Sequence, residues 1–219
     1  MMDRLLYKLI QRNYIEGNMR ILIDNNNPMA TNGYMVIDDD KSAYIIDAPS
    51  SLSSFQKIIE EEQLDLKYIL LTHGHYDHVL GLKELRSKYN AKIVAHRREE
   101  ELLKDPNLNL STIIGSSISV DADIYLEDQK GQFELFEYRL TPGHTKGSVT
   151  FIIDNYAFTG DLIFRDSIGR TDFPGGSFSE LSKAVNESIF TLDDEAILLP
   201  GHGPKTQVAY ERENNPFLK

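Results

Sequence analysis

Apolar residues follow two kinds of spacing in the first half of the chain, and the spacings alternate. Short apolar runs typical of strands occupy 33–38, 42–48, 66–72 and 91–95. Between them, apolar residues at helical spacing predict helices over 55–64 and over the segment from Leu82 through Leu85 to Tyr89. The order strand, helix, strand, helix, strand is typical of a sheet layer covered by helices.

Strand patterns dominate from residue 118 onward. They occupy 123–128, 132–140, 148–154, 156–160 and 195–200, with turns expected at 129–131 and 154–155. Ser177 and Glu180 form a capping-box pattern, which predicts a helix with an apolar face of Leu181, Ala184, Val185 and Ile189. Two sheets packed face to face with helices outside accommodate this order. The predicted fold class is therefore α/β, an αββα sandwich of two mixed sheets.

The beginning of the chain carries a separate pattern. Leu5, Leu6, Leu9 and Ile10 lie on one helical face, and Gly17-Asn18 is a plausible stop, so residues 2–16 are predicted to form an amphipathic helix. We therefore divide the chain into a helical extension, 1–18, and one domain, 19–219. The helix is expected to dock on the sandwich or on a second subunit of a homo-oligomer. Membrane-surface binding is less favoured, because the segment is short and only modestly basic.

Composition narrows the class of partner. The chain has 219 residues, 41% of them hydrophobic, with a formal net charge of −11 and no cysteine. This charge disfavours nucleic acid and leaves a small-molecule substrate as the expected partner. The absence of cysteine removes thiolate ligands and cysteine nucleophiles. No apolar run approaches the roughly 20 residues of a membrane span, and no apolar signal core begins the chain, so a cytoplasmic location without membrane contact is predicted.

Histidines crowd one short stretch, LLTHGHYDHVLGL at 70–82. His73, His75, Asp77 and His78 follow the predicted buried strand at its carboxyl end, where layered α/β folds present functional groups. A polar loop with hydrogen-bonded histidines is the simpler alternative. Imidazoles at alternate positions can converge, however, and imidazole with carboxylate suits zinc, iron or manganese. The cluster is therefore predicted to bind metal.

Three further elements repeat this arrangement. His144 in LTPGHTKGS, Asp161 in AFTGDLIF and His202 in LLPGHGPK each follow an apolar strand and stand in a turn that contains glycine. The remaining histidine, His96 in IVAHRREE, is predicted to lie at the mouth of a helix with a structural role.

With these residues the chain resembles the metallo-β-lactamase superfamily, and within it the glyoxalase II-like hydrolases, over roughly residues 20–205. The resemblance rests on the His-x-His-x-Asp-His signature and on the ordered PGHT, GD and GHG elements. It implies the sandwich fold and two metal ions. It assigns His73, His75 and His144 to one metal and Asp77, His78 and His202 to the other, with Asp161 bridging them.

The resemblance also implies a reaction. Two divalent ions about 3.5–4 Å apart can share a water molecule, lower its pKa and direct it at an electrophilic carbon. Zinc is the expected metal, with iron or manganese possible. Asp77 and Asp161 then have catalytic roles. Asp47, at the end of the strand AYIIDA, is expected either to support the metal-site loop by hydrogen bonds or to cap a helix.

The segment GDLIFRDSIGRTDFPGG (160–176) bears on the substrate. Arg170 resembles a basic residue that binds a substrate carboxylate in glyoxalase-like enzymes; the alternative is a structural ion pair with Asp166 or Asp172. Only 16 residues follow Gly203, too few for the helical domain that contacts glutathione in glyoxalase II. The predicted substrate is a smaller acyl thioester, or a related ester or lactone.

Two other functions stay open. A mononuclear iron persulfide dioxygenase of the same superfamily shares the metal motif and a similar GRTDF segment, whereas the PGHGP turn around His202 favours the compact hydrolases. A metal-stabilised binding or structural protein is disfavoured because every ligand position is filled.

Overall fold

The first sheet contains seven strands and mixes two directions of pairing. The computed structural model describes residues 13–14, 19–49 and 52–219. In this sheet the strand order follows the chain, with antiparallel pairs from β1 to β4 and parallel pairs from β4 to β7. Its strands are β1 (Asn13–Tyr14), β2 (Arg20–Asp24), β3 (Gly33–Ile37), β4 (Ser42–Ile46), β5 (Asp65–Leu70), β6 (Lys92–His96) and β7 (Ile124–Leu126).

The second sheet has six strands in the order β15, β14, β11, β10, β9, β8, and the neighbouring strands β11 and β14 are its parallel pair. A separate two-stranded hairpin, β12 with β13, follows β11. These strands are β8 (Lys130–Phe133), β9 (Phe136–Leu140), β10 (Val149–Ile153), β11 (Tyr156–Gly160), β12 (Ile163–Phe164), β13 (Ser167–Ile168), β14 (Ile197–Pro200) and β15 (Thr206–Gln207).

Short helices connect the strands. They are α1 (Ser53–Glu62), α2 (Tyr76–Val79), α3 (Leu82–Tyr89), α4 (Glu100–Lys104), α5 (Phe178–Ala184) and α6 (Val208–Asn214). Two 3₁₀ turns, Arg97–Glu99 and Ser111–Ile114, flank α4, and α5 continues into a π-helical turn over Val185–Ile189.

Strand alternation sends each side chain to one of two apolar layers. In β3, Tyr34 and Val36 face the layer between the sheets, where they meet Phe136, Phe151 and Phe158 of the second sheet. Met35 and Ile37 face the opposite way and pack with helices α1 and α3. A third apolar layer lies between the second sheet and α5. The helices beside the first sheet, the two sheets and the helix beside the second sheet are four layers of secondary structure, and they form the predicted αββα sandwich of two mixed sheets.

Most predicted elements are confirmed within two or three residues, and Ser177 caps α5 by accepting a hydrogen bond from the Glu180 amide. Two neighbouring predictions were wrong. The turn expected at 129–131 is not there, because Lys130 and Gly131 belong to β8. The segment 132–140 is not a single strand, because β8 and β9 form a hairpin in which Phe133 pairs with Phe136 and Glu134 turns with φ 51°. The hairpin lets Phe136 enter the core while Leu135 stays exposed.

The predicted amphipathic helix over 2–16 lies outside the described residues, except for Asn13 and Tyr14. These two form β1, which pairs with β2, so the predicted helix does not include them. Within the described part of the chain, no helix is long and apolar enough to cross a membrane.

Candidate metal centre

Seven histidine and aspartate side chains converge at the carboxyl ends of four strands. His73 and His75 follow β5, and α2 then presents Asp77 and His78. The other three come from the loops after β9, β11 and β14, in that order His144, Asp161 and His202. Strands of both sheets therefore contribute to one site, although the segments are up to about 130 residues apart in the chain.

The side chains form overlapping groups in which all ligand-type atoms lie within 4.8 Å of one another. His73, His75 and His144 make up what we call the enclosed group, because each is at most 3% exposed. Asp77, His78 and His202 make up the open group, in which the side chain of His202 is 31% exposed. Asp161 lies between the groups, 3.4 Å from His78 Nε2 and 3.7 Å from His144 Nε2.

Hydrogen bonds orient the rings of His78 and His144. In each ring, Nδ1 contacts an oxygen atom and Nε2 is directed away from that oxygen. His78 Nδ1 lies 2.8 Å from Asp47 Oδ2, and His144 Nδ1 lies 2.7 Å from the carbonyl oxygen of Arg170. Both oxygens are acceptors, so each Nδ1 carries a proton, and each Nε2 offers a lone pair to a metal ion whenever its ring is neutral. These lone pairs point into the centre.

Several atoms of the centre lack the partner that buried polar atoms ordinarily have. Among the described residues, His73 Nε2, His75 Nε2, His78 Nε2 and Asp161 Oδ1 are buried without a hydrogen-bond partner. Leaving such an atom unsatisfied costs about 1–3 kcal/mol. Imidazole nitrogens and carboxylate oxygens are the ligands that zinc, iron and manganese take. The donor set therefore fits divalent metal ions.

The electrostatics differ between the two groups. Burial, together with the neighbouring His144, lowers the pKa of His75 to about 3, and burial also lowers the pKa of His73. Burial acts in the same direction on His78, but the carboxylates of Asp77, Asp47 and Asp161 outweigh it and raise its pKa. The enclosed group is thus made of neutral rings, whereas the open group balances positive and negative charge.

Two glycines allow the loops to approach each other. Gly160 has φ 51°, and a Cβ there would collide with the Thr72 side chain. A Cβ at Gly201 would collide with the Asp161 carboxylate and the His78 ring. The glycine-containing turns seen in the sequence therefore provide space beside the ligand-type side chains.

Asp47 lies below the centre and does not cap a helix. Its carboxylate accepts hydrogen bonds from the Thr72 amide at 2.8 Å and from the Thr72 hydroxyl at 2.7 Å, besides its contact with His78. Helix α1 begins at Ser53 with Leu52 at its N-cap. Of the two predicted roles, the hydrogen bonds agree with support of the metal-site loop and not with capping of a helix.

The two functional groups of Arg170 point in different directions. Its carbonyl oxygen faces His144, as described above. Its exposed guanidinium stacks on the Phe173 ring at 4.0 Å and forms two hydrogen bonds, of 2.9 and 2.7 Å, with Asp172. The ion pair named as the alternative is therefore present, and Phe173 separates the guanidinium from the rings of His75 and His144.

His96 lies apart from the centre. Its Nδ1 accepts a hydrogen bond from the Arg98 amide at the start of the 3₁₀ turn, and its Nε2 lies 3.2 Å from the Asp128 carbonyl oxygen. The predicted place at the mouth of a helix is confirmed.

Two residues of the site were missed by the sequence analysis. Thr31, in the loop before β3, donates a hydrogen bond of 2.9 Å to Asp77 Oδ2. Glu99, in the charged run RREE, is buried beneath the loops of the enclosed group. A charged run ordinarily indicates a solvated surface; the only available signal was that Glu99 follows a strand, as the ligand-type residues do.

Known proteins are similar to this chain over most of its length. The family described as the metallo-beta-lactamase superfamily matches residues 26–202. The probable metallo-hydrolase YqgX of Bacillus subtilis is 34% identical over 198 residues, covering 87% of this chain and 93% of that protein. The hydroxyacylglutathione hydrolase GloC of Haemophilus influenzae is 34% identical over 195 residues, covering 84% of this chain and 91% of that protein.

Solved structures show the same similarity. BLEG-1 B3 metallo-beta-lactamase superposes with a TM-score of 0.85 and 33% identity, covering 91% of this chain and 99% of that one. TTHA1623 in a di-iron-bound form superposes with a TM-score of 0.81 and 27% identity, covering 90% of this chain and 99% of that one. ETHE1 from Myxococcus xanthus superposes with a TM-score of 0.72 and 26% identity, covering 90% of this chain and 83% of that one. With the matched family, the curated relatives and the fold in agreement, the chain belongs to the metallo-beta-lactamase superfamily.

Proposed function

We propose that the chain is a metal-dependent hydrolase that cleaves a small acyl thioester or a related ester. The observation that carries the proposal is the convergence of seven ligand-type side chains, several with partnerless buried atoms, on one centre. Similarity to the hydroxyacylglutathione hydrolase GloC supports the thioester class. The proposed partner is thus a small molecule; a cytoplasmic location and the absence of nucleic-acid and membrane partners remain predictions.

Two divalent metal ions are the proposed cofactors. The enclosed group would hold one, the open group would hold the other, and Asp161 would contact both. Zinc is favoured, while iron and manganese suit the same donors, and TTHA1623 has a di-iron-bound form. When bound, the metals supply Lewis acidity, which lowers the pKa of a water molecule and polarises the carbonyl under attack.

The aspartates of the centre have distinct tasks in this proposal. The Thr31 hydroxyl donates to Asp77 Oδ2, and His202 Nε2 lies 3.2 Å from the same oxygen, so the carboxylate is held in one orientation. Asp77 would use this fixed position to orient the attacking water. As the C–S or C–O bond breaks, the proton of the water passes to solvent or to the departing thiolate or alkoxide. The lone pair for the attack comes from water, so neither serine nor cysteine is needed as a nucleophile.

Arg170 is proposed to bind a carboxylate on the acyl group. Its guanidinium is exposed and lies over Phe173, whose ring centroid is 5.4 Å from that of His75. A substrate carboxylate would compete with Asp172 for the guanidinium edge, where Nε and Nη2 now donate two hydrogen bonds. Substrates that carry a carboxylate should therefore gain more from Arg170 than uncharged ones.

The experiment loads metal-free protein with zinc or with ferrous iron. Thiol release from short acyl thioesters, such as lactoyl and acetyl derivatives, is then followed together with oxygen uptake in the presence of a low-molecular-weight persulfide. The hydrolase should release thiol with zinc and without oxygen, because attack by water needs no redox change. Absence of thiol release with both metals would contradict the proposal.

The same assay tests Arg170. Arg170→Ala should raise KM for carboxylate-bearing acyl groups more than for uncharged ones. Arg165→Ala is the matched control, because Arg165 is also exposed but stacks on Tyr210 at 4.6 Å. Equal effects on both substrate types would leave Arg170 with its ion pair alone.

A mononuclear iron persulfide dioxygenase is the second candidate. The similarity to ETHE1, at 26% identity, gives it some support. In this case the iron form alone should consume oxygen with the persulfide, and no metal form should release thiol from a thioester.

A further inference from the structure

Glu99 is a buried acidic residue that the proposed reaction does not use. It ends the 3₁₀ turn after β6 and is 1% exposed. Burying a carboxylate is costly unless it is paired or fully hydrogen-bonded. Among the described residues no basic side chain forms an ion pair with Glu99, so neutral donors must compensate for the cost.

Three donors surround the Glu99 carboxylate, and they come from two loops. The Gly74 amide donates to Oε1 at 3.0 Å. The Thr145 hydroxyl and the Gly147 amide donate to Oε2 at 3.0 and 2.9 Å. Gly74 lies between His73 and His75, and Thr145 follows His144 directly. One carboxylate thus joins the two loops that carry the enclosed group.

Close packing reinforces this connection. A Cβ at Gly74 would lie 2.8 Å from side-chain atoms of Leu102 and Leu103, in the helix that follows Glu99. A Cβ at Gly147 would lie 2.5 Å from both the backbone nitrogen and the carboxylate of Glu99. Both loops therefore pack directly against the segment 99–103, and the hydrogen bonds to Glu99 hold them there.

The separation that these contacts maintain is short. His75 Nδ1 and His144 Nε2, on the two joined loops, lie 2.9 Å apart. The distance between the loops therefore sets how far apart the ligand-type side chains of the enclosed group lie.

We propose that Glu99 is a positioning residue that holds the His73–His75 loop and the His144 loop at the separation required for metal binding by the enclosed group. The inference rests on the metal assignment in the proposed function. Glu99 acts through the loop backbones and touches neither metal nor substrate.

The test measures metal affinity at the enclosed group alone. His202→Ala weakens the open group, so the first and tighter equivalent in a Co²⁺ titration of this background, followed by visible absorption, reports the enclosed group. Glu99→Gln in the same background replaces one acceptor oxygen by an amide that faces an N–H donor. Cobalt affinity should fall by about tenfold or more, as for other residues that orient ligands, and the absorption band should change shape.

A second variant covers the case in which Glu99→Gln does not fold. Thr145→Val keeps the volume of the side chain but removes one of the three donors, so it should lower cobalt affinity in the same direction by a smaller factor. Glu211→Gln is the matched control. Glu211 is equally buried and is held by Thr206, Asn215 and the Asp166 amide, away from the enclosed group. It should lower thermal stability without changing cobalt affinity.

The outcomes separate two failures. If the His202→Ala background binds no cobalt, the metal assignment itself is wrong. If it binds cobalt and Glu99→Gln leaves the affinity and the spectrum unchanged, as Glu211→Gln does, Glu99 is a structural residue only and the inference is overturned.

Discussion

The enclosed and open groups face the same centre but are built differently. The enclosed group consists of three nearly inaccessible imidazoles, whose loops are joined from below by Glu99. The open group combines two imidazoles with Asp77, is reached by solvent at His202, and is supported by Asp47 through His78. With the two metals proposed above, this difference predicts that the enclosed group retains its metal and that the open group exposes its metal to water and substrate.

The largest effect should come from removing an enclosed ligand. His75→Ala deletes one of three imidazoles at a position that water cannot readily refill, so zinc affinity there should fall by more than ~100-fold, beyond the usual cost of changing a supporting residue. His202→Ala should cost less, because solvent can occupy the vacated position. Zinc titration by competition with a chromophoric chelator measures both. A greater loss in His202→Ala would reverse the comparison.

The acid–base behaviour of Glu99 gives the next effect. Burial raises the pKa of Glu99 from 4.5 to about 7 in the metal-free protein, although its hydrogen bonds oppose the shift. The folded state then holds a proton that the unfolded state has lost, so stability is present at low pH and is lost as pH rises from about 4.5 to 7. The free energy of unfolding lost in this way is at most about 3 kcal/mol.

Chemical denaturation of the metal-free protein at pH 5 and pH 8 measures this loss. The wild type should lose more stability over this range than Glu99→Gln, which has no carboxyl to ionise. Parallel pH profiles for the two proteins would show that Glu99 does not ionise in this window.

Asp47→Asn should weaken the open group by about 10–100-fold in metal affinity. In Asp47, Oδ1 accepts from the Thr72 amide, and Oδ2 accepts from both the Thr72 hydroxyl and His78 Nδ1. An asparagine places an NH₂ group against one of these sets of donors, so the support of the His78 ring is weakened. A cobalt titration in a His75→Ala background isolates this group. Unchanged affinity would mean that backbone packing alone orients His78.

The smallest expected effect concerns the order in which the two proposed metals are released. Dialysis against a chelator should remove the metal of the open group first, because His202 is 31% exposed and the enclosed histidines are at most 3% exposed. Elemental analysis over time should pass through a plateau near one metal per chain. Simultaneous loss of both metals would show that exposure does not control release.

The seven ligand-type residues could be predicted from the sequence because each stands just after an apolar strand, next to glycine or within the histidine cluster. The supporting residues could not. Asp47 looked equally suited to a helix cap, since its partners Thr72 and His78 are 25 and 31 positions away. Glu99 lies among Arg97, Arg98 and Glu100, and local charge does not reveal that one member of the run is buried.

The sandwich was predictable from the order of its elements, because strands and helices alternate in the first half of the chain and strand patterns dominate from residue 118 onward. The hairpin of β8 and β9 was not. Its turn at Glu134 and Leu135 contains neither glycine nor proline, and the apolar residues on either side continue a strand pattern. Only pairing in three dimensions distinguishes the hairpin from one long strand.

Zinc-edge anomalous diffraction from crystals grown at saturating zinc tests the central claim most directly. The account predicts two peaks per chain, one contacting His73, His75 and His144 and the other contacting Asp77, His78 and His202, with Asp161 touching both. A single peak, or peaks away from these side chains, would contradict it.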